Sequence, residues 1–290
     1  MTQPVVFVGD QLVESSQACV SVFDAGFQSG DAIWEGLRVY AGSVFRLEQH
    51  LDRLEQSAQA MRIVLPGGRD GIRDALLRTL DANGMVEDTH VRLMVTRGTR
   101  STSGMDPRNA PAAGTLVIVP ERKPVDPSPA PQRLRTASIR RPQPQVLDPS
   151  IHHANQLNSI LARLEVVDDP DVDAALMLDV QGFVAEADTA NIFCLVDGEL
   201  WTPVATACLH GITRGIVIGL GPDAGLRSVE RPLTLFDLYR ADEVFLTGTV
   251  CELVPVTRID GRQVGSGSPG PVWRDLLDRY RALVAAEVSG

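Results

Sequence analysis

The segment Ile151-His152-His153-Ala154-Asn155-Gln156-Leu157-Asn158-Ser159-Ile160-Leu161-Ala162-Arg163-Leu164-Glu165 organises the reading of this chain. An asparagine side chain can accept a hydrogen bond from the N–H groups left unpaired at a helix start. Leu157, Ile160, Leu161 and Leu164 then recur at helical spacing, so a helix capped at Asn155 is expected, with these four side chains as its buried stripe. Two histidines precede the cap. Adjacent residues point in different directions on a helix or strand, and the chain has no HExxH, so His152-His153 predicts no metal site.

Upstream, Pro120-Glu121-Arg122-Lys123-Pro124-Val125-Asp126-Pro127-Ser128-Pro129-Ala130-Pro131 follows a strand-like Thr115 to Val119 and reads as a linker, since proline withholds N–H donors from regular structure. The organisation expected is an N-terminal α/β domain over 1–120, a linker over 121–132, and a C-terminal pseudo-barrel α/β domain over 133–290. In the first domain, Leu47, Leu51, Leu54, Ala58 and Met61 predict an amphipathic helix with Arg53 on its flank. Its acidic residues Glu48, Asp52 and Glu55 read as the solvated face. In the second, Asp197-Gly198 between Ile192–Val196 and Leu200-Trp201 predicts a tight hairpin, and helical patterns return at 211–220 and 272–284. Strands and helices on both sides of the linker give an α+β fold. Gly265-Ser266-Gly267-Ser268-Pro269-Gly270 matches GxGxxG, but too little chain follows for a dinucleotide-binding βαβ unit, so it reads as a loop.

With 290 residues the chain can bury a core without staples. Cys19, Cys194, Cys208 and Cys251 are far apart and predict neither a disulfide framework nor a zinc knuckle, which points to a reducing cytoplasm. A net charge of -10 argues against nucleic-acid and anionic-membrane partners. No signal peptide and no membrane-spanning run are read from the sequence.

The histidine segment resembles the cofactor-lysine segment of class IV aminotransferases, the fold-type-IV pyridoxal phosphate enzymes. Further matches follow in order: Ser21-Val22-Phe23-Asp24, Ser29 to Tyr40, His50-Leu51-Asp52-Arg53-Leu54, Glu186 to Asn191, Gly211-Ile212-Thr213-Arg214, and Ala241 to Thr249. The branched-chain and D-amino acid aminotransferase branches are the nearest in pattern. The resemblance implies their two-domain fold, a homodimer, and a lysine three residues before the asparagine that forms a Schiff base with the cofactor. Here that position is His152, and the chain's one lysine is Lys123, in the proline-rich stretch. An imidazole has no primary amine and cannot form that link.

By the same resemblance, Arg53, Ile212, Thr213 and Thr249 match phosphate contacts, Glu186 the carboxylate facing the pyridine nitrogen, and Leu209 the residue packed on the ring. Ser29, His90 and Gln156 stand where tyrosines are expected, and Trp34 keeps an aromatic wall. With Val250 these would line a wider, more polar substrate site. Arg92, Arg97 and Arg100 are candidates for reading a substrate carboxylate.

The function expected is that of a class IV aminotransferase-like enzyme on a small amino- or carboxylate-bearing metabolite. Its chemistry would be independent of lysine, with His152 moving protons as general acid or base. Pyridoxal phosphate would be bound without the covalent link, or be absent. Two alternatives stay open: an ordinary pyridoxal-phosphate-dependent aminotransferase whose lysine has been exchanged, and a non-catalytic member that binds a ligand or partner.

Overall fold

A computed structural model describes residues 4–288 of the chain. It contains two compact units. The second comprises Asp126–Ser150 and Gln156–Val284, and the first comprises the remainder, with Ile151–Asn155 returning to it.

The first unit carries β1 (Val5–Val8), β2 (Gln11–Glu14), α1 (Ala25–Ser29), β3 (Ala32–Tyr40), β4 (Ser43–Val44), α2 (Leu47–Met61), α3 (Gly68–Asn83), β5 (Thr89–Thr96) and β6 (Leu116–Arg122). Its six strands form one antiparallel sheet in the order β2-β1-β6-β5-β3-β4. Helix α2 forms as its periodicity predicts, burying His50, Leu51, Leu54, Ser57 and Ala58 on the side packed against β3. Helix α3 was not expected from sequence, although Ile72, Ala75, Leu76, Thr79 and Leu80 have helical spacing and are buried. Together with Ile33, Leu37, Val91, Leu93 and Ile118 these helices make the core. Each fully buried aliphatic side chain contributes about 1.5–3 kcal/mol. Strand β6 runs on into Pro120-Glu121-Arg122, so the proline-rich stretch begins as an edge of regular structure.

Residues 151–155 lie along β3. His153 bridges Ile33, the Trp34 N–H donates to the His152 carbonyl at 2.9 Å, and the Ala154 N–H donates to the Ala32 carbonyl at 2.8 Å. These main-chain bonds, with the His152 N–H donating to the Ser57 hydroxyl at 3.1 Å, fix the backbone of His152 on the unit that carries Arg53.

The second unit contains β7 (Gln132–Arg140), α4 (Pro144–Leu147), α5 (Leu157–Leu164), β8 (Ala174–Leu178), β9 (Val184–Ala187), β10 (Asn191–Val196), β11 (Glu199–Thr202), α6 (Ile212–Leu220), β12 (Arg227–Glu230), α7 (Leu235–Tyr239), β13 (Glu243–Gly248), β14 (Glu252–Ile259), β15 (Arg262–Gln263) and most of α8 (Pro271–Val288). Its mixed sheet has the order β12-β11-β10-β13-β14-β7-β8-β9, with β15 beside β14. Asp197 and Gly198 both take positive φ, 52° and 78°, as the expected two-residue hairpin requires. The GxGxxG match lies in the connection from β15 to α8, where Glu243 accepts from the Val272 and Trp273 N–H groups and caps the helix.

Two expectations for the histidine segment are corrected. The cap of α5 is Gln156 rather than Asn155, and no side-chain capping bond is present. The face of α5 that packs on β7 and β8 carries Ser159 and Ala162, with Ala162 against Ala137, Ala175 and Met177. Leu157, Ile160, Leu161 and Leu164 are instead 59, 51, 41 and 59 % exposed. Small residues let the helix axis approach the sheet closely, and that contact, rather than the leucine stripe, orients the helix.

Candidate functional site

In the first unit the centre is Glu35, which the sequence reading did not single out. It lies on β3 between Trp34 and Gly36 and is 1 % exposed. Arg53 donates to it twice, from Nε to Oε1 at 2.8 Å and from Nη2 to Oε2 at 2.6 Å. His50 Nδ1 lies 2.7 Å from Oε2, and His152 Nδ1 lies 3.2 Å from Oε1. Helix α2 supplies His50 and Arg53 one turn apart, so both reach the same carboxylate.

Burial would push the Glu35 carboxyl up, but His152 and Arg53 beside it hold it well below the ordinary glutamate value. Burial pushes His152 down, against the pull of Glu35 and with the help of the Arg53 charge. Burial thus disfavours charge on both groups, while the Arg53 guanidinium favours the ionised carboxylate and opposes an imidazolium. The His152 side chain is 12 % exposed, and its ring lies 4.3 Å from the Trp34 ring, tilted by 38°.

On the opposite face of β3, strand register places Gly36 beside Arg92 and Arg38 beside His90. The Arg92 guanidinium sits 4.2 Å from the centre of the Trp34 ring. His90 is pushed down to about 4, by burial first and by the Lys123 charge second, so its imidazole is neutral. Arg38 is 1 % exposed, yet none of its three guanidinium nitrogens has a hydrogen-bond partner among the described residues. A buried cation without hydrogen bonds is costly.

The second unit gathers a separate set around Glu186, on β9. Arg141 pairs with Oε1 at 2.7 Å, and Oε2 accepts from Asn191 Nδ2 at 3.2 Å and from the Leu209 N–H at 3.3 Å. Burial outweighs Arg141 and raises the Glu186 carboxyl to about 6. Asn191 also donates to the Leu209 carbonyl at 2.9 Å. A Cβ at Gly211 would lie 2.1 Å from Asn191 Oδ1, so glycine is needed there, directly before α6. Ile212 and Thr213 form the first turn of that helix, where backbone N–H groups are unpaired and the dipole favours an anion. Thr249 and Val250 lie in the turn from β13 to β14.

Of the residues singled out by sequence, the first unit thus joins Arg53, His152, Trp34 and Arg92 through contacts, and the second joins Glu186 with Leu209. Arg97 donates to both oxygens of Asp31, at 2.6 and 3.0 Å, and to the carbonyls of Met61 and Arg62. Arg100 donates to the Ser29 hydroxyl at 3.2 Å and to Asp31 at 3.3 Å, and Ser29 in turn donates to the Ala25 carbonyl. Both arginines tie loops of their own unit together. Gln156 stands at the start of α5. Among the described residues no cluster of metal-ligating side chains occurs, and no helix is long and apolar enough to cross a membrane. Glu35, His50 and Asn191 lie inside stretches matched from sequence but had no role assigned, and Arg141 lies outside them. Glu35 left one trace, the lone carboxylate of a strand whose other charged residue is Arg38.

Residues 32–259 match the family model of the class IV amino-transferases, and the chain belongs to that family. Its architecture is the fold-type-IV aminotransferase fold. The chain is 46 % identical over 278 residues to branched-chain-amino-acid aminotransferase-like protein 2 of Arabidopsis thaliana, covering 96 % of this chain and 50 % of that protein. It thus spans about half the length of that relative. It is 32 % identical over 302 residues to the branched-chain-amino-acid aminotransferase of Pseudomonas aeruginosa, covering 98 % of this chain and 94 % of the relative. Among solved structures, the branched-chain aminotransferase of the thermophilic archaeon Thermoproteus uzoniensis with norvaline superposes with a TM-score of 0.88 at 30 % identity, over 97 % of this chain and 94 % of that one.

Proposed function

We propose that this chain is an enzyme that works without the cofactor-linking lysine of its family, with His152 in that place as the group that moves a proton. The observation that carries this reading is the contact of Nδ1 of the partly exposed His152 with the buried Glu35 carboxylate at 3.2 Å. A base must be unprotonated at working pH and held in one orientation; the downward push of burial on His152 and its contact with Glu35 support the two conditions in turn. The only lysine, Lys123, is 47 % exposed in its side chain and ion-paired with Glu121 at 2.6 Å.

Pyridoxal phosphate would be held without a covalent bond, since His152 offers no amine for one. Within the first unit Arg53 is a candidate phosphate contact. Within the second, the start of α6 at Ile212 and Thr213, with Thr249, would serve a phosphate, Glu186 a ring nitrogen and Leu209 a ring. When bound, the cofactor supplies an electron sink for a carbanion formed on a substrate. This chain's residues would orient the ligand and take up or return the proton at His152.

For the substrate we propose a small metabolite bearing an amino group or a carboxylate. Arg92 beside Trp34, and Arg38, whose buried guanidinium donors have no hydrogen-bond partner among the described residues, support an anionic group on this face of β3. His90 and Ser29 would replace apolar walls with polar ones, and Val250 and Gln156 of the second unit are further candidates for substrate contact. A homodimer is part of the same proposal, supported by the exposed leucine face of α5.

The test is washout of the α-hydrogen of L-glutamate in D2O with added pyridoxal phosphate, comparing the wild type with His152→Ala. Washout that depends on His152 is expected. Equal rates for the two proteins would remove His152 from the chemistry, and no washout from glutamate or other small amino acids would favour a binding protein.

A further inference from the structure

We propose that Glu35 is a positioning residue that holds His152 in its Nδ1–H tautomer and thereby leaves Nε2 as the atom that accepts a proton. The proposal rests on the reading of His152 as a base and adds which nitrogen acts and what selects it.

Four nitrogens converge on one carboxylate: Arg53 Nε and Nη2, His50 Nδ1 and His152 Nδ1. An ionised carboxylate can only accept, so each nitrogen facing it must carry a hydrogen or place its lone pair against a negative oxygen. Both imidazoles therefore turn a protonated Nδ1 toward Glu35. One contact argues the other way. Arg53 Nη2 lies 3.4 Å from His152 Nδ1, and a guanidinium, having only donors, would prefer an unprotonated nitrogen there. That contact is longer than the 3.2 Å to Glu35, and the same Nη2 already donates to Glu35 at 2.6 Å, so the carboxylate decides the tautomer.

The two histidines then differ in access. The His50 side chain is 3 % exposed and that of His152 is 12 % exposed. His50 helps fill the acceptor sites of Glu35 beside Arg53, while His152, with Trp34 against its ring and Ser57 on its N–H, keeps its second nitrogen for a ligand. When Nε2 takes a proton from a substrate C–H or N–H, the ring becomes an imidazolium, stabilised by Glu35 and opposed by Arg53. The electron pair stays on the substrate fragment, and the same nitrogen later returns the proton. Glu35 remains ionised throughout.

The experiment is a long-range proton–nitrogen NMR spectrum of the full chain labelled with 15N-histidine, at pH 8. His152 is assigned by the signals that vanish in His152→Gln. The expected spectrum has His152 Nδ1 protonated and Nε2 bare. In Glu35→Gln the preference should weaken and the His152 pKa should fall, because the charge that favours the imidazolium is lost while that of Arg53 remains. Glu35→Asp should recover part of both. Glutamate washout, measured in parallel, should fall about tenfold to a hundredfold in Glu35→Gln, the usual cost of losing the partner that orients a functional histidine. A wild-type His152 carrying its hydrogen on Nε2 would overturn the proposal, as would a Glu35→Gln protein with unchanged tautomer and pKa. If the Glu35 variants fail to fold, the wild-type spectrum alone decides. An Nε2–H tautomer with washout still lost in His152→Ala would sink only the Glu35 proposal. Undiminished washout in His152→Ala would sink the base reading itself.

Discussion

Replacing Arg53 by alanine should destabilise the first unit in a way that depends on pH. In the wild type the Arg53 guanidinium is 11 % exposed and makes two hydrogen bonds to a carboxylate that is 1 % exposed. Removing one member of such a pair leaves a buried charge without its counter-ion, which costs about 3–5 kcal/mol. The His152 imidazole can repair part of this. Without Arg53 one of the charges that opposes protonation of His152 is gone while Glu35 still favours it, so the His152 pKa in the folded variant rises relative to the wild type. A group whose folded pKa is raised adds stability below its unfolded value and loses it as pH climbs through the folded value. In the wild type His152 is shifted downward, so its contribution runs the other way, present above its unfolded pKa and lost as pH falls through the folded value. The deficit should therefore be about 3–5 kcal/mol at pH 8 and roughly 1–2 kcal/mol less near pH 5.5, where an imidazolium stands in for the guanidinium. Urea titrations at the two pH values, followed by tryptophan fluorescence and far-ultraviolet circular dichroism, measure this directly. A deficit that is equal at both pH values, or below about 1 kcal/mol at pH 8, would refute the idea that Glu35 is held ionised by Arg53.

Three further outcomes are expected. His152→Ala should keep the fold, judged by an unchanged urea midpoint within error, and should slow glutamate washout by on the order of a hundredfold or more. His152→Lys should capture pyridoxal phosphate covalently, seen as a new visible absorbance and a borohydride-stable mass increase; no capture would mean that the site has diverged beyond this one position. Ile160→Asp on the exposed face of α5 should convert a dimer into a monomer in sedimentation velocity, whereas a wild-type protein that is already monomeric would contradict the proposed assembly.

The elements that sequence made legible are those whose side chains answer to one partner surface. Helix α2 and the Asp197-Gly198 hairpin came through because local spacing and turn chemistry dictate them. Helix α5 shows the opposite case. Its leucines have the periodicity of a buried stripe, but periodicity does not say which surface covers it, and within the chain the small residues Ser159 and Ala162 take the packed side. Arg53 and Glu186 were legible from the family pattern, whereas the groups that set their charge state were not. Glu35 and Arg141 lie 18 and 45 residues away from Arg53 and Glu186 in the chain, and nothing local to either announces the pairing. Arg97 shows why a strand arginine is ambiguous from sequence: only the fold reveals that Asp31 and two carbonyls already occupy it.

The central claim is that this member of the class IV aminotransferases works without a lysine link. It is tested most directly by incubating the wild-type protein with pyridoxal phosphate, reducing with borohydride, and weighing the intact chain. The account predicts that pyridoxal phosphate binds, as seen by its retention in equilibrium dialysis, while the chain keeps its unmodified mass at site-saturating cofactor. A stoichiometric phosphopyridoxyl adduct, mapped to Lys123 or any other amine of the chain, would contradict it.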